Sequence, residues 1–278
     1  MVLGCFYSHI TAAVQEKGIF LEQAMDIVRE HGITAVDINS ADLQPSPEAF
    51  KTLLDKHGLH VASTHAYFPC GVATQEEYDA SLARMKKDMH KAAKAGSTFF
   101  MPVPQKAPSY RQEEDAAWRA GIRKLFSEVI SYGKEAGLQV VIENFSLAEY
   151  PYTTFDDMAY LFTHNPELRY AYDMGNYPLA GFDELEGMRR FMDKISYVHL
   201  KDIKVIENPE HPEHLLLRLG KYFDSLELGG GYLKVKEGIE ELQKNNYQGT
   251  LIIEINCGPN VFDRTLASAR YVNSILNP

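Results

Sequence analysis

A helix-like stretch that ends in glycine, followed at once by a short apolar run, recurs along this chain of 278 residues. The pattern occurs at Gly32, Gly58, Gly96 and Gly137. Glycine accepts the left-handed backbone conformation that closes the last turn of a helix. A tight joint from helix to strand, repeated in this way, is typical of folds in which helices alternate with the strands of a parallel sheet.

Eight apolar runs can be identified, and most of them are continuous instead of alternating with polar residues. Continuous runs favour strands that are buried on both faces, as in a parallel sheet. The predicted strands are Val2–Phe6, Ala35–Ile38, Leu59–Ala62, Thr98–Val103, Gln139–Ile142, Arg169–Tyr172, Ile195–Leu200 and Leu251–Ile255.

Amphipathic stretches lie between the apolar runs. The clearest is Glu113–Ala136, where Trp118, Ile122 and Phe126 belong to one apolar stripe. The other predicted helices are Leu21–Glu30, Pro47–Lys56, a stretch from Tyr78 to Ala93, Asp183–Asp193, Lys234–Asn245 and Val261–Leu276.

Eight strand–helix units predict an α/β fold, a single (β/α)8 TIM barrel that spans residues 1–278. The length agrees, because such barrels have roughly 250 residues. An open, doubly wound sheet is the alternative architecture. No G-x-G-x-x-G motif follows the first strand to support that alternative as a dinucleotide-binding fold.

The composition excludes several classes of partner. A formal charge of −10 does not favour nucleic acid or an anionic membrane surface, since both require clustered lysine and arginine. Three cysteines without a pairing pattern do not form a disulfide framework. The N-terminus does not resemble a signal peptide, and no apolar run is long enough to span a membrane. We therefore expect a cytoplasmic protein without nucleic-acid or membrane partners.

Four residues that can bind metal stand at the ends of the last four predicted strands: Glu143, Asp173, His199 and Glu254. A charged residue at the end of a buried strand is costly unless it is paired or coordinated. In a barrel, the carboxyl ends of the strands meet at one mouth. The sequence therefore predicts a site for one divalent metal ion, with Mn²⁺, Mg²⁺, Co²⁺ and Zn²⁺ all suited to oxygen and nitrogen ligands.

The spacing of these residues agrees with the barrel. Asp173 follows Glu143 by 30 residues and His199 follows Asp173 by 26, each close to one strand–helix unit. Glu254 follows His199 by 55 residues, which predicts a long loop after the seventh strand at about 203–231. Loops of this length are often functional, and this one contains Arg218.

The segments around these four residues resemble the sugar phosphate isomerase/epimerase superfamily, the xylose-isomerase-like TIM barrels. The segments are Glu143-Asn-Phe, Asp173-Met-Gly-Asn, His199-Leu-Lys-Asp and the strand that ends in Glu254. The superfamily includes ketose epimerases, hydroxypyruvate isomerases, inosose dehydratases and 3-dehydroshikimate dehydratases, with endonuclease IV as a distant relative. The resemblance extends over nearly the whole chain, and it does not identify one member.

The resemblance implies that Glu143, Asp173, His199 and Glu254 bind the metal and that Glu143 and Glu254 are the catalytic acid and base. In such enzymes one carboxylate removes a proton beside a carbonyl to give an enediolate, and the other returns a proton. We therefore expect a divalent-metal-dependent isomerase or epimerase of a small sugar or sugar derivative. The resemblance also implies a homo-oligomer.

Six further residues are predicted to bind the substrate. His65 ends the third strand at a position that often touches substrate in the superfamily, and His9 follows the first strand. Asn176 stands where sugar epimerases often have histidine. Lys201 would neutralise a substrate oxygen or carboxylate, or form an ion pair with Asp202 or with a strand-end acid. The complete set is His9, His65, Asn176, Lys201, Asp202 and Arg218.

Three other functions remain open at this point. A metal-dependent dehydratase of a polyol or cyclic hydroxy-ketone would use the same site, as in inosose or 3-dehydroshikimate dehydratases. A non-catalytic barrel that binds a sugar-like ligand would not require both glutamates. A remote alternative is an endonuclease IV-like DNA repair nuclease, which would require three zinc ions and additional histidines.

Overall fold

Four glycine joints lead from helices into strands in the computed structural model, which describes residues 1–44, 46–70, 74–106, 115–147 and 150–277. Gly32, Gly58, Gly96 and Gly137 have φ angles between 65° and 81°. This is the left-handed region that glycine adopts without steric cost. The chain therefore turns from helix into strand at these joints, as their sequence predicts.

Eight parallel strands close into a barrel, in which the last strand pairs with the first. The barrel strands are β1 (Val2–Phe6), β2 (Ile33–Asn39), β3 (His60–Cys70), β4 (Phe99–Lys106), β5 (Gln139–Glu143), β6 (Arg169–Asp173), β7 (Ile195–Leu200) and β11 (Thr250–Ile253). This closure confirms the predicted (β/α)8 barrel and excludes the open sheet.

Helices surround the barrel. They are α1 (Tyr7–Lys17), α2 (Leu21–Glu30), α3 (Pro47–Lys56), α4 (Gln75–Lys94), α5 (Asp115–Ala136), α6 (Phe155–His164), α7 (Asn176–Leu179), α8 (Glu184–Arg190), α9 (Val235–Lys244) and α10 (Val261–Leu276). The bounds of α2, α3 and α10 agree with those predicted. The predicted start of the fifth helix at Glu113 lies outside the described residues.

Three helices were not predicted, namely α1, α6 and α7. The first begins at Tyr7, directly after the last residue of β1, so no turn residue marks the boundary between them.

Among the described residues, no helix is long and apolar enough to cross a membrane.

Two apolar clusters hold the barrel together. The larger one lies between the strands and the helices, and the smaller one fills the barrel interior with Ala35, Ala62, Met101, Val103, Val141, Ala171, Tyr197 and Ile252. Along β5 the two clusters alternate, since Val140 and Ile142 belong to the larger one and Val141 to the smaller. Tyr197 is the largest side chain of the interior cluster, and alanines on three other strands leave room for it.

A second sheet occupies the segment where the sequence predicts a long loop. It is antiparallel and consists of β8 (Asp202–Ile206), β9 (Leu216–Arg218) and β10 (Lys221–Leu226), in the order β8-β10-β9. The short helical turn Pro212–His214 lies between the first two strands. The insertion after β7 thus has a hydrogen-bonded structure of its own, next to the carboxyl end of the barrel.

Candidate metal centre

Four side chains meet at the carboxyl end of the barrel. Glu143 and Asp173 are the last residues of β5 and β6, His199 lies next to the end of β7, and Glu254 follows β11 directly. Asp173 and His199 are register partners in neighbouring strands. One ligand atom from each of the four residues lies within 4.8 Å of the others. The barrel thus brings together the four residues that the sequence predicts as metal ligands.

The ring of His199 points Nδ1 into this cluster. Nδ1 lies 2.5 Å from Glu143 Oε1, 3.0 Å from Glu254 Oε2 and 3.9 Å from Asp173 Oδ2. All four side chains are buried or nearly so, with Glu143 the most exposed at 13%. The cluster is therefore a compact set of three carboxylates and one imidazole with little access to bulk water.

Several features of this cluster fit a divalent cation. Glu254 Oε2 is buried and accepts no hydrogen bond in the described part of the chain, although it lies 3.0 Å from His199 Nδ1, which bonds Glu143 instead. Lys201 is the one ammonium paired with these carboxylates among the described residues, so with His199 neutral, as a metal ligand must be, three ionised acids would leave two negative charges without a counter-charge. Oxygen and nitrogen ligands in this proportion suit several divalent metals. The cluster could therefore hold one such ion.

The neighbours of the buried groups determine their charge when no metal is bound. Burial raises the pKa of Asp173 to about 7, since Lys201 offsets only part of the loss of solvent and the two glutamates repel its charge. Burial also acts to raise the pKa of Glu254, but Lys201 and His199 hold it well below its usual value. Burial acts to lower the pKa of His199, yet Glu143, Asp37 and Glu254 raise it well above the usual value. A bound dication would favour the ionised form of all the acids.

Asp37 orients His199 from the barrel interior. It lies on β2, is fully buried, and its Oδ2 accepts hydrogen bonds from His199 Nε2 at 3.3 Å and from the Tyr197 hydroxyl at 2.9 Å. A carboxylate that holds one ring nitrogen of a histidine fixes the ring so that the other nitrogen faces a metal. Our sequence analysis missed Asp37, although a charged residue inside the apolar run Ala-Val-Asp-Ile carries the same signal as the strand-end acids.

Lys201 offsets part of the negative charge of the cluster. Its Nζ donates to Asp173 Oδ2 at 2.7 Å and to Asn176 Oδ1 at 3.2 Å, and lies 3.0 Å from Glu254 Oε1. An ammonium has three protons, and these acceptors can take all of them. Lys201 therefore forms ion pairs with two strand-end acids, Asp173 and Glu254, and not with Asp202. Lys201 lines the cavity, but a substrate atom would have to compete with three protein oxygens for it.

The amide of Asn176 is also used within the protein. Its Nδ2 donates to the carbonyl oxygen of Asn144 at 2.9 Å, and its backbone N–H donates to Asp173 Oδ1 at 2.9 Å. Asn144 exchanges two hydrogen bonds of 3.0 Å with the backbone of Asp173. These contacts fix the ends of β5 and β6 relative to each other and hold the Asp173 carboxylate in place.

The two histidines predicted to bind substrate have different surroundings. His9 is buried, accepts the Ile255 N–H at Nε2 at 3.3 Å, and has Nδ1 3.0 Å from Thr265 Oγ1. Burial lowers the pKa of His9 to about 4, so both ring nitrogens serve a neutral contact between β11 and α10. His65 donates from Nδ1 to Asp37 Oδ1 at 2.6 Å, and its ring lines the cavity, which leaves Nε2 on the cavity side.

Asp202, which the sequence predicts to bind substrate, is not among the residues that line the cavity. Its carboxylate accepts the backbone N–H groups of Ile203, Gly229, Gly231 and Leu233 at 2.9 to 3.1 Å. A buried carboxylate is stabilised by such donors, and this one joins the start of β8 to the loop after β10. Asp202 therefore holds the second sheet in place and does not reach the substrate space.

A cavity of about 440 Å³ lies above the cluster and opens at the barrel mouth. His199, Lys201, Glu143 and Glu254 line its floor, while Arg218 of β9 is among its other lining residues. The volume is within the range of small-molecule sites. Its lining residues include both polar and apolar side chains.

Comparisons with known proteins agree with this geometry. The family model for the xylose isomerase-like TIM barrel matches residues 25–274. Inosose dehydratase of Lacticaseibacillus casei is 24% identical over 279 residues, which cover 94% of this chain and 91% of the relative.

Two solved structures share the fold over nearly their whole length. The IOLI protein with a bound zinc atom superposes with a TM-score of 0.75 at 13% identity, covering 99% of this chain and 98% of that chain. The 3-keto-D-glucoside 4-epimerase YcjR from E. coli has a TM-score of 0.71 at 15% identity, with 100% of both chains covered. Because the family model covers most of the sequence, this chain belongs to the xylose isomerase-like TIM barrel family.

Proposed function

We propose that this protein is a metal-dependent enzyme that transfers a proton at a carbon beside a carbonyl group of a small, sugar-like substrate. Isomerisation or epimerisation is the reaction we assign to it first. The observation that carries the proposal is the pair Glu143 and Glu254, two carboxylates that meet around one histidine at the floor of the cavity. Glu143, Asp173, His199 and Glu254 would hold the metal ion.

The order of the strands supports opposite roles for the two glutamates. Glu143 ends β5 and Glu254 follows β11, and these strands are the outer two of four adjacent strands, with β6 and β7 between them. The carboxylates therefore approach the cavity from different sides. When bound, a divalent metal would polarise the substrate carbonyl and make the neighbouring C–H bond more acidic. One glutamate would accept that proton, and the other would return a proton from its own side.

Dehydration is the second candidate function. It begins with the same proton removal and continues with loss of a hydroxyl group on the next carbon. The inosose dehydratase of L. casei, which aligns with 94% of this chain, favours this alternative. His65, whose Nδ1 is held by Asp37, lines the cavity, and as an imidazolium it could give a proton from Nε2 to the departing hydroxyl.

The reaction can be tested with Mn²⁺-loaded protein in D₂O, with a panel of free ketoses, D-fructuronate and an inosose as substrates. We expect deuterium at the carbon beside the carbonyl, detected by NMR, without loss of water. An enone absorbance together with loss of water would assign dehydration instead. No exchange with any of these compounds would contradict the proposed function.

Replacing Glu143 by Gln should lower the exchange rate by about 100-fold or more, because general acid–base catalysis contributes that much. The same result is expected for Glu254→Gln. Asp173→Asn is the comparison, since it removes a metal ligand that has no proton-transfer role, and all three variants are assayed at saturating Mn²⁺ with metal content measured. Unchanged exchange in Glu143→Gln would contradict the assigned roles and favour a non-catalytic barrel.

A further inference from the structure

Arg218 enters the cavity from the second sheet. Leu216 and Arg218 are alternate residues of β9 and lie on the same face of that sheet. Both line the cavity, whereas Leu217 between them is 53% exposed. The sheet therefore brings one guanidinium group to the barrel mouth from outside the barrel.

The guanidinium group of Arg218 has no acidic partner among the described residues. Its Nε donates to Ser146 Oγ at 3.3 Å, and its Nη1 donates to the carbonyl oxygen of Leu217 at 2.8 Å. Other arginines on the surface, such as Arg189 and Arg190, form ion pairs with acids of neighbouring elements. Arg218 thus lines the cavity without a counter-ion from the part of the chain that the structure describes.

Arg218 pairs with Lys221 of β10, and the sheet that holds both residues is anchored at its other end. Asp202, at the start of β8, accepts the N–H groups of Gly229 and Gly231, which follow the last strand of the sheet. These hydrogen bonds join the first strand of the inserted sheet to the loop that follows its last strand. A guanidinium group held by a closed sheet loses less conformational freedom when it binds a ligand than one on an open loop.

We propose that Arg218 and Ser146 bind a carboxylate group of the substrate, at a carbon other than those that exchange protons. This inference rests on the proposed function, since it names the class of its substrate as a keto acid of the sugar type. The planar guanidinium donates two parallel hydrogen bonds to a carboxylate. Ser146 lies three residues beyond Glu143, so one chain segment carries both a residue of the proposed carboxylate site and a residue of the cavity floor.

The helix after the last barrel strand argues for a carboxylate instead of a phosphate. In TIM barrels, phosphate is often bound by the loops after the last two strands and by the N-terminus of a nearby helix. Here the first N–H groups of α10, those of Val261 and Phe262, donate to the Glu16 carboxylate at 2.8 and 3.1 Å. That helix terminus already has an anionic partner from the protein itself.

Calorimetric titration of Mn²⁺-loaded protein with three ketoses tests the inference. D-fructose, D-fructuronate and D-fructose 6-phosphate share the keto end and differ at the last carbon. We expect D-fructuronate to bind roughly 10- to 100-fold more tightly than D-fructose, as one charge-assisted contact predicts. Arg218→Gln should remove this preference, and Ser146→Ala should reduce it.

Lys221→Gln is the matched control. Lys221 is the register partner of Arg218 in β10 and is exposed, and it does not line the cavity, so this variant has the same change in net charge. It should keep the preference for D-fructuronate. Unchanged Mn²⁺ affinity in Arg218→Gln would show that the metal site and the fold are intact.

Two results would overturn the inference. Binding of D-fructuronate no tighter than that of D-fructose would exclude a carboxylate site, and tighter binding of the 6-phosphate than of D-fructuronate would assign the site to phosphate. The proposed function fails separately, if D-fructuronate binds through Arg218 but no substrate exchanges protons in D₂O. Proton exchange without any preference for an anionic substrate would support the proposed function and contradict this inference.

Discussion

At the scale of single residues, hydrogen bonds behind the candidate metal ligands define the site as much as the ligands do. His199 has one nitrogen toward the cluster and the other toward Asp37, and Asp37 in turn accepts a hydrogen bond from His65. Lys201 lies between Asp173 and Glu254 and limits the repulsion between these acids. Each of these contacts joins strands that are far apart in the sequence.

We predict that Asp37→Asn weakens metal binding by about 10- to 100-fold, as the loss of an outer hydrogen-bond partner does at other metal sites. An amide oxygen accepts a hydrogen bond from His199 Nε2 less strongly than a carboxylate oxygen does, so the ring loses its orientation. Titration of the metal-free protein with Mn²⁺ measures the effect. Asp26→Asn is the control, since Asp26 bonds His57 Nδ1 at 2.6 Å on the surface, far from the cluster. Equal Mn²⁺ affinity in both variants would rule out this role for Asp37.

At the scale of elements, the joints after helices and the base of the second sheet depend on close backbone contacts. The glycine joints could be recognised from local sequence because each involves only a few neighbouring residues. The contact between Asp202 and the loop at 229–233 could not, since about 30 residues separate its two sides. A run of three glycines indicates a turn, but it does not indicate which carboxylate the turn surrounds.

Gly231→Ala should destabilise the protein by about 1–3 kcal/mol, the usual cost of inserting an extra carbon into a packed region. An added Cβ at Gly231 would lie 2.1 Å from Asp202 Oδ1 and 2.4 Å from the carbonyl oxygen of Ile203. At Gly230 the nearest atom would be 3.1 Å away, so Gly230→Ala should cost less. Urea unfolding of the two variants compares them. If both lose the same stability, the contact with Asp202 does not constrain this loop.

At the scale of the whole molecule, the barrel concentrates negative charge at one end of its axis. Glu143, Asp173 and Glu254 come from strands that close the ring, so folding itself forces these carboxylates together. Such repulsion costs stability unless cations offset it; Lys201 supplies one positive charge, and the raised pKa values of His199 and Asp173 mean that the metal-free cluster also holds protons that a dication would displace. Metal binding and folding should therefore be linked.

Removal of metal with a chelator should lower the melting temperature, and addition of Mn²⁺ should restore it. A ligand present at about 100 times its Kd stabilises the folded state by about 2.7 kcal/mol. Differential scanning calorimetry with and without Mn²⁺ measures the shift. The double variant Glu143→Gln, Glu254→Gln has two fewer charges to balance and should respond much less. A melting temperature that does not depend on Mn²⁺ in the unmodified protein would contradict a metal site at this cluster.

The sequence by itself determined the barrel, because helix-closing glycines and apolar runs are local signals that repeat with the strand–helix unit. It also identified the four residues of the cluster, because charged residues at the ends of buried strands require a partner wherever those strands lie. Only the tertiary structure decided how the remaining polar groups are used. His9, Asn176, Lys201 and Asp202 have their hydrogen bonds with the protein, and of these four only Asp202 is not among the residues that line the cavity together with His65 and Arg218. The physical reason is that a hydrogen bond depends on distance and direction between groups from different elements, and these are fixed only when the barrel closes.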